Sequence, residues 1–413
     1  MRFSSRIPLE LEPNPWSVRL AERRAAGADL VDLSEANPTR TGLTPRAWIP
    51  LDTWERGVLE RYEPDPRGSY AARLAIGDYY ASRGRAIDCE SIVLTASTSE
   101  AYAHLFRLLA DPGETVLVPR PSYPLFVPLA RAEGVAVATY DVGGYRADDV
   151  DLDAIERAIG PRTRAIVVVQ PNHPTGSCLD SEQVRTLDAL AARRGLAIIA
   201  DEVFGDYPWP PEFRPGGRAG GRVARARSAS DEPPMTSGLP SFAGDREALT
   251  FVLSGLSKVC GLPQMKAAWI VVAGSAAARA PAMERLTWLA DLFLSVSAPA
   301  QAALPKWLHE RHDFQQRTRE RIALNLGQLA AAQTRGAAHT LQHAHGGWVG
   351  VLRFPQRRTD EQWALDLLEA GVILHPGHFY DYEVDSIMVT SLIIEPREFA
   401  RGLERIEAVI ACG

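Results

Sequence analysis

Between about residues 90 and 275 the chain alternates short runs of Val and Ile with longer amphipathic stretches, and this rhythm restricts the fold more than any other feature. Seven runs read as buried strands: 92–95, 115–118, 135–140, 165–170, 196–201, 250–254 and 268–272. Short apolar runs without polar alternation are what a strand covered on both faces needs. Segments long enough for helices lie between many of them, at 99–109, 125–133, 151–159 and 181–194. Strands alternating with helices predict an α/β fold, with a largely parallel sheet sandwiched by helices. Asp111-Pro112-Gly113 marks a turn between one such helix and the next strand.

The rhythm changes after about residue 275. Residues 281–335 are helical in character, followed by a strand at 348–354, a helix at 360–370, strands at 372–374 and 387–393, and a last helix ending near 410. This predicts a smaller α+β domain. The expected division is 1–50 as a proline-rich segment packing with the small domain, 51–280 as the large domain and 281–413 as the small one. A chain of 413 residues is long for one core and sufficient for two. Residues 208–247 break the pattern with Pro, Gly and Ser clusters that include Arg214, Arg218, Arg222, Arg225 and Arg227, and read as a mobile surface loop or, in the sharper reading, a lid or partner-binding loop.

The net charge of −6 disfavours nucleic acid as the main partner. Cys89, Cys178, Cys260 and Cys412 lie far apart and form no CxxC pair, so neither a disulfide framework nor a zinc site is expected. No stretch has the length and apolarity of a signal peptide or a membrane helix, and a cytoplasmic protein is the expectation. The sequence His309-Glu310-Arg311-His312 is one residue short of a zinc-protease helix and reads as an exposed helix face. His343 and His345 read as loop residues.

Chemistry-bearing residues gather where strands end. Lys258, in the loop Ser254-Gly255-Leu256-Ser257-Lys258, can reach a crevice, where desolvation would free its amine as a nucleophile toward aldehydes. Asp201 closes an apolar strand and needs a partner there, as a helix cap, in a structural ion pair or in a cofactor contact. The segment Thr95-Ala96-Ser97-Thr98-Ser99-Glu100 is a helix cap and has the donors of a phosphate site. Tyr123 is held between prolines and can stack on a flat ring. Pro171-Asn172-His173-Pro174-Thr175-Gly176 is a tight turn with side-chain donors. Five strands end in such residues, and open α/β sheets bind ligands at the carboxyl ends of strands.

In this order, the motifs resemble the class I/II aminotransferases, the fold-type I pyridoxal-phosphate enzymes. Asn37-Pro38-Thr39 resembles the family's N-terminal substrate-side segment. Tyr62 resembles the tyrosine that reaches the cofactor phosphate of a neighbouring subunit, which implies a homodimer. The resemblance further implies that Ser97, Thr98, Ser99, Ser257 and Lys266 cradle the phosphate. Tyr123 would stack on the ring, His173 would contact its 3′-oxygen, Asp201 would hold the pyridinium and Lys258 would carry the Schiff base. Gly346–Trp348 and the stretch 375–381 look like the small-domain pattern. The implied reaction moves an amino group between an amino acid and a 2-oxo acid. A β-lyase or decarboxylase on the same fold, or a non-catalytic cofactor-binding regulatory module, are the competing readings.

The sequence departs from the family in four places. His173 replaces an asparagine, Phe204 replaces the tyrosine that donates to the 3′-oxygen, and Lys266 replaces an arginine and so loses its bidentate fork. The arginine that clamps the substrate carboxylate is absent: Val389 aligns there, and Arg40, Arg353 and Arg397 are the candidates to substitute.

Overall fold

The computed structural model describes residues 3–7, 13–44, 62–142, 150–216 and 239–412. The rhythm of the sequence becomes one seven-stranded sheet. Its strands are β2 (Ile92–Thr95), β3 (Thr115–Arg120), β4 (Ala136–Asp141), β5 (Thr163–Val169), β6 (Ala197–Asp201), β7 (Thr250–Gly255) and β8 (Ala268–Ala273). They lie in the order β2-β8-β7-β6-β5-β3-β4. β8 runs antiparallel to both its neighbours and the other pairings are parallel. The Val/Ile runs of β5, β6, β7 and β8 are buried almost throughout, with apolar clusters against helices on either face. β4 departs from the expectation of a buried strand. It is the edge strand, and Ala136, Thr139 and Asp141 are exposed.

The expected helices form with local signals in place. Ser97 caps Thr98–Leu109, and a capping box from Asp180 with Gln183 starts Ser181–Arg194. Gly195, with φ 65°, ends the latter in the left-handed conformation that glycine adopts without strain. Helices Ala276–Asp291 and Ala298–His309 pack beside the large sheet, and Arg311–Thr334 leads into the second core.

That second core surrounds a four-stranded sheet of order β12-β13-β10-β9. It comprises β9 (Thr340–Leu341), β10 (Val349–Arg353), β12 (His375–Pro376) and β13 (Ile387–Ser391). The N-terminal β1 (Val31–Asp32) pairs with β11 (Val372–Ile373), and Trp16, Leu20, Leu33 and Leu43 join the same apolar cluster.

The mobile-loop expectation for 208–247 needs correction at both flanks. Trp209, Phe213, Leu239 and Phe242 are buried, and Glu202 anchors the second flank by accepting from Ser241 Oγ at 2.6 Å and Phe242 N at 2.5 Å. Large aromatic side chains offset loop entropy that Pro and Gly content alone suggests would be lost. Residues 217–238, with Arg218, Arg222, Arg225 and Arg227, lie outside the described residues. His309, Glu310, Arg311 and His312 straddle a break between two helices instead of lining one face, and Arg311 is buried over the Tyr79 ring. Among the described residues no helix is long and apolar enough to cross a membrane.

Candidate active site

The carboxyl ends of β2, β7, β6, β5 and β3 share one edge of the large sheet. Because β8 is antiparallel, it begins at that same edge, with Ala268 paired to both Thr95 and Gly255. One antiparallel strand therefore brings Lys266 beside the residues that follow β2 and β7.

Side-chain alternation separates the two acids that end β6. Glu202 turns away to its structural partners Ser241 and Phe242. Asp201 stays at the site, 7 % exposed, with Oδ2 accepting from Tyr102 hydroxyl at 3.0 Å and Oδ1 from Val203 N at 3.1 Å. Burial pushes its carboxyl up to about 6, against the pull of those two donors.

Lys258 stands in the short helix Leu256–Val259 directly after β7. It is one of only three lysines in the chain, with Lys266 and Lys306. Burial lowers its ammonium to about 8, while Asp201 pulls the other way. For both groups desolvation outweighs their mutual attraction. They lie close enough to interact, yet among the described residues no carboxylate comes within ion-pair distance of Lys258 Nζ. The ammonium lies instead over aromatic rings, 4.7 Å from Trp348 and 5.4 Å from Phe204. Its side chain keeps partial solvent access, as expected of a group lining a cleft.

Trp348 reaches this position through the segment after Phe204. Tyr207 hydroxyl donates to Lys258 O at 2.5 Å, Gly347 N donates to Tyr207 O, and Trp209 Nε1 donates to Gly347 O. The glycine pair before Trp348 is thus tied through Tyr207 to the backbone that carries the lysine.

The other side of the cleft is a continuous set of contacts. Tyr123 lies near enough to Ser99 for the hydroxyl to act on its phenol, and its ring lies 6.4 Å from that of His173. His173 stacks on Phe204 at 5.8 Å and meets Tyr380 edge-on at 5.4 Å. Burial, with Lys258 and His375 nearby, pushes His173 down to about 3, so its imidazole is neutral. Ser97 Oγ accepts from Glu100 N at 3.1 Å, and the Glu100 carboxylate accepts from Ala96 N and Ser295 Oγ. The N–H groups of Thr98 and Ser99 have no partner among the described residues, so this turn keeps donors to offer an anion.

Ser99, Tyr123, His173, Asp201 and Lys258 therefore converge. Ser97, Thr98, Ser257 and Lys266 stand on the same edge without direct contact to that group; Lys266 is exposed, in a left-handed conformation with φ 51°. Tyr62 is 83 % exposed, on the wall of a cavity of about 590 Å³ that Ser69, Leu294 and Gln301 also line. Sequence reasoning missed Tyr102 as the partner of Asp201, although it lies one helical turn after Thr98. It also missed Tyr207, and nothing in its local sequence separates it from a core tyrosine.

The donor set fits a flat, anionic, aldehyde-bearing cofactor of the pyridoxal-phosphate kind. A desolvated carboxylate and a desolvated amine face one cleft with no ion pair between them. Ser254 Oγ, Asn172 Nδ2 and Ser122 Oγ are buried at the same edge with no hydrogen-bond partner. Buried polar groups without partners call for a ligand or water to complete them.

Known proteins resemble the chain in sequence and fold. The chain is 28 % identical to human tyrosine aminotransferase over 202 residues, covering 48 % of this chain and 42 % of that protein. It is 28 % identical to the glutamate-pyruvate aminotransferase AlaA of Escherichia coli over 284 residues, 67 % of this chain and 63 % of that one. The matched stretches thus span less than two thirds of these relatives' own lengths. The fold is shared with the alanine aminotransferase from Pyrococcus furiosus (TM-score 0.77, 20 % identity, 100 % of both chains). It is shared equally with tyrosine aminotransferase from Leishmania infantum (TM-score 0.77, 16 % identity, 97 % of this chain and 98 % of that one). The model of the family "Aminotransferase class I and II" matches residues 29–391, nearly the whole length, and the chain belongs to that family.

Proposed function

We propose that the protein is a pyridoxal-phosphate-dependent aminotransferase that moves an amino group between an amino acid and a 2-oxo acid, acting as a homodimer in the cytoplasm. The observation that carries this reading is the pair at the ends of adjacent strands: Lys258 and Asp201, both desolvated, share one cleft and are not ion-paired. Bound there, the cofactor supplies an aldehyde for amine exchange and a ring that accepts electrons.

The chain's own residues do the rest. Lys258 Nζ would hold the cofactor through its aldehyde and, when free, would move the proton at the substrate Cα. Asp201 would keep the ring nitrogen protonated, and Tyr102 and Val203 N hold its carboxylate in place. Tyr123, beside Ser99, would pack against the cofactor ring. His173, neutral, has one ring N–H that it would offer to the cofactor 3′-oxygen, and Phe204 has none. Ser97, Thr98, Ser99, Ser257 and Lys266 would take the phosphate, and Tyr62 would join from the partner subunit. The exposure of Tyr62, together with exposed Trp288, Leu292 and Phe293, supports a second copy covering this side. Four free cysteines accord with a reducing compartment.

A panel of amino acids added to the holoprotein tests the reaction. Transamination gives stoichiometric oxo acid and an amine-form cofactor spectrum. Release of ammonia or carbon dioxide instead would identify the lyase or decarboxylase reading, and no spectral change with any amine would leave a binding module. Lys258→Ala should abolish the visible absorbance of the lysine-linked cofactor.

A further inference from the structure

We infer that Gln342, Arg353 and Tyr382 form the site that holds the substrate's carboxylate, in place of the arginine that Val389 replaces. This rests on the aminotransferase reading above. The small sheet carries two faces that differ in kind. Leu341, Leu352 and Met388 turn toward the helices. Val349, Val351, Ile387 and Val389 form the other face, with Tyr380 and Tyr382 against it.

The register puts His375, Val389 and Val351 in one cross-strand row. Gln342 N donates to Val351 O at 2.8 Å, one residue beyond the Leu341–Leu352 pair, so Gln342 extends the row on the apolar face. Both ends of the row abut the turn that follows β5. Tyr380, bonded to His375 Nδ1 at 2.9 Å, lies against His173. Two residues after Gln342, Ala344 lies so close to Gly176 that a Cβ there would stand 2.6 Å from its own. This face therefore looks onto the edge of the large sheet that bears Lys258.

Within it, Gln342 is 7 % exposed and neither end of its carboxamide has a hydrogen-bond partner. Tyr382 hydroxyl, on a residue 9 % exposed, has none either. Two unsatisfied donors in one apolar patch are costly unless a ligand completes them. Arg353 shares the face, opposite Ile387 and diagonal to Gln342, and its charge acts on the Tyr382 phenol. An amide NH₂, a phenol and a guanidinium together match a carboxylate, which only accepts. The other two candidates do not reach this face. Arg40 has a side chain 74 % exposed and pairs with Glu35, and Arg397 is exposed at the start of the last helix.

Titration calorimetry on the holoprotein with 3-phenylpropanoate, an unreactive carboxylate, and 3-phenylpropan-1-ol, its neutral counterpart, tests the assignment. Wild type should prefer the carboxylate. Gln342→Leu, Tyr382→Phe and Arg353→Met should each weaken it by about tenfold or more, Arg353→Met most, and leave the alcohol unchanged. Gln342→Leu and Tyr382→Phe should keep or raise the thermal midpoint, which separates lost binding from lost folding. The assignment is overturned if wild type shows no preference, if the substitutions leave carboxylate binding within about twofold, or if they weaken both ligands alike. Failure of amino transfer in the holoprotein would reject the aminotransferase reading without altering this comparison.

Discussion

Two residues at the cleft hold opposite charges that the protein has stripped of water, and each sets a measurable pH dependence. Lys258 titrates at about 8. Only its neutral amine attacks an aldehyde, so capture of pyridoxal phosphate by the apoprotein should accelerate as pH rises through about 8 and then level off. Stopped-flow absorbance reads this directly; a rate still climbing with the slope of an ordinary lysine near 10.5 would mean the amine is not desolvated. For Asp201 the folded value is raised, from 3.8 to about 6. Its ionisation therefore costs the folded state nothing below 3.8 and the full penalty above about 6. Asp201→Asn should stabilise the apoprotein by about 2–3 kcal/mol at pH 7–8, with the gain vanishing below about pH 4. The same substitution should lower turnover by about 100-fold or more, since an amide cannot hold the ring nitrogen protonated. Denaturant melts across pH, paired with kinetics, check both halves.

At the scale of elements, the site depends on a tight fit between the turn after β5 and the segment before β10. Gly176 has φ 66°, and an added Cβ would meet Ala344 Cβ and Gly346 O, each at 2.6 Å. Gly176→Ala should destabilise the protein by about 2–4 kcal/mol, lowering the thermal midpoint, and should displace His173 and weaken cofactor retention together. The strands of the large sheet were legible because most are Val- and Ile-rich runs bounded by turns, and the residues at their ends followed from that. Helix Tyr70–Ala81 was not: its apolar residues include Ile76, Tyr79 and Tyr80 on a face buried by Ala298–His309, a partner more than two hundred residues away in sequence. The buried flanks of 208–247 were hidden for the same reason, because Trp209 and Phe242 find their neighbours only in the folded chain. Lys258 and Asp201 were readable as strand-end residues; the aromatic seat of Lys258 over Trp348 and Phe204 was not, since it joins three distant segments.

The whole molecule presents its second core across the cleft from the first, and one side leaves large apolar groups uncovered: Trp288 is 64 % and Phe293 51 % exposed. A dimer on that side carries a specific consequence if Tyr62 serves the partner's site. Lys258→Ala and Tyr62→Ala homodimers should each be impaired, yet mixing the two chains under exchange should restore activity, because each hybrid regains one site with both residues intact. Activity assays after subunit exchange, with sedimentation to confirm the dimer, decide this; no recovery would place Tyr62 outside the partner's site. The most direct test of the cofactor lysine uses borohydride reduction of the holoprotein followed by peptide mapping. With only three lysines in the chain, the outcome is unambiguous. The cofactor should be fixed on the peptide containing Lys258 and on no other; label on Lys266, on Lys306 or on none of them would contradict the account.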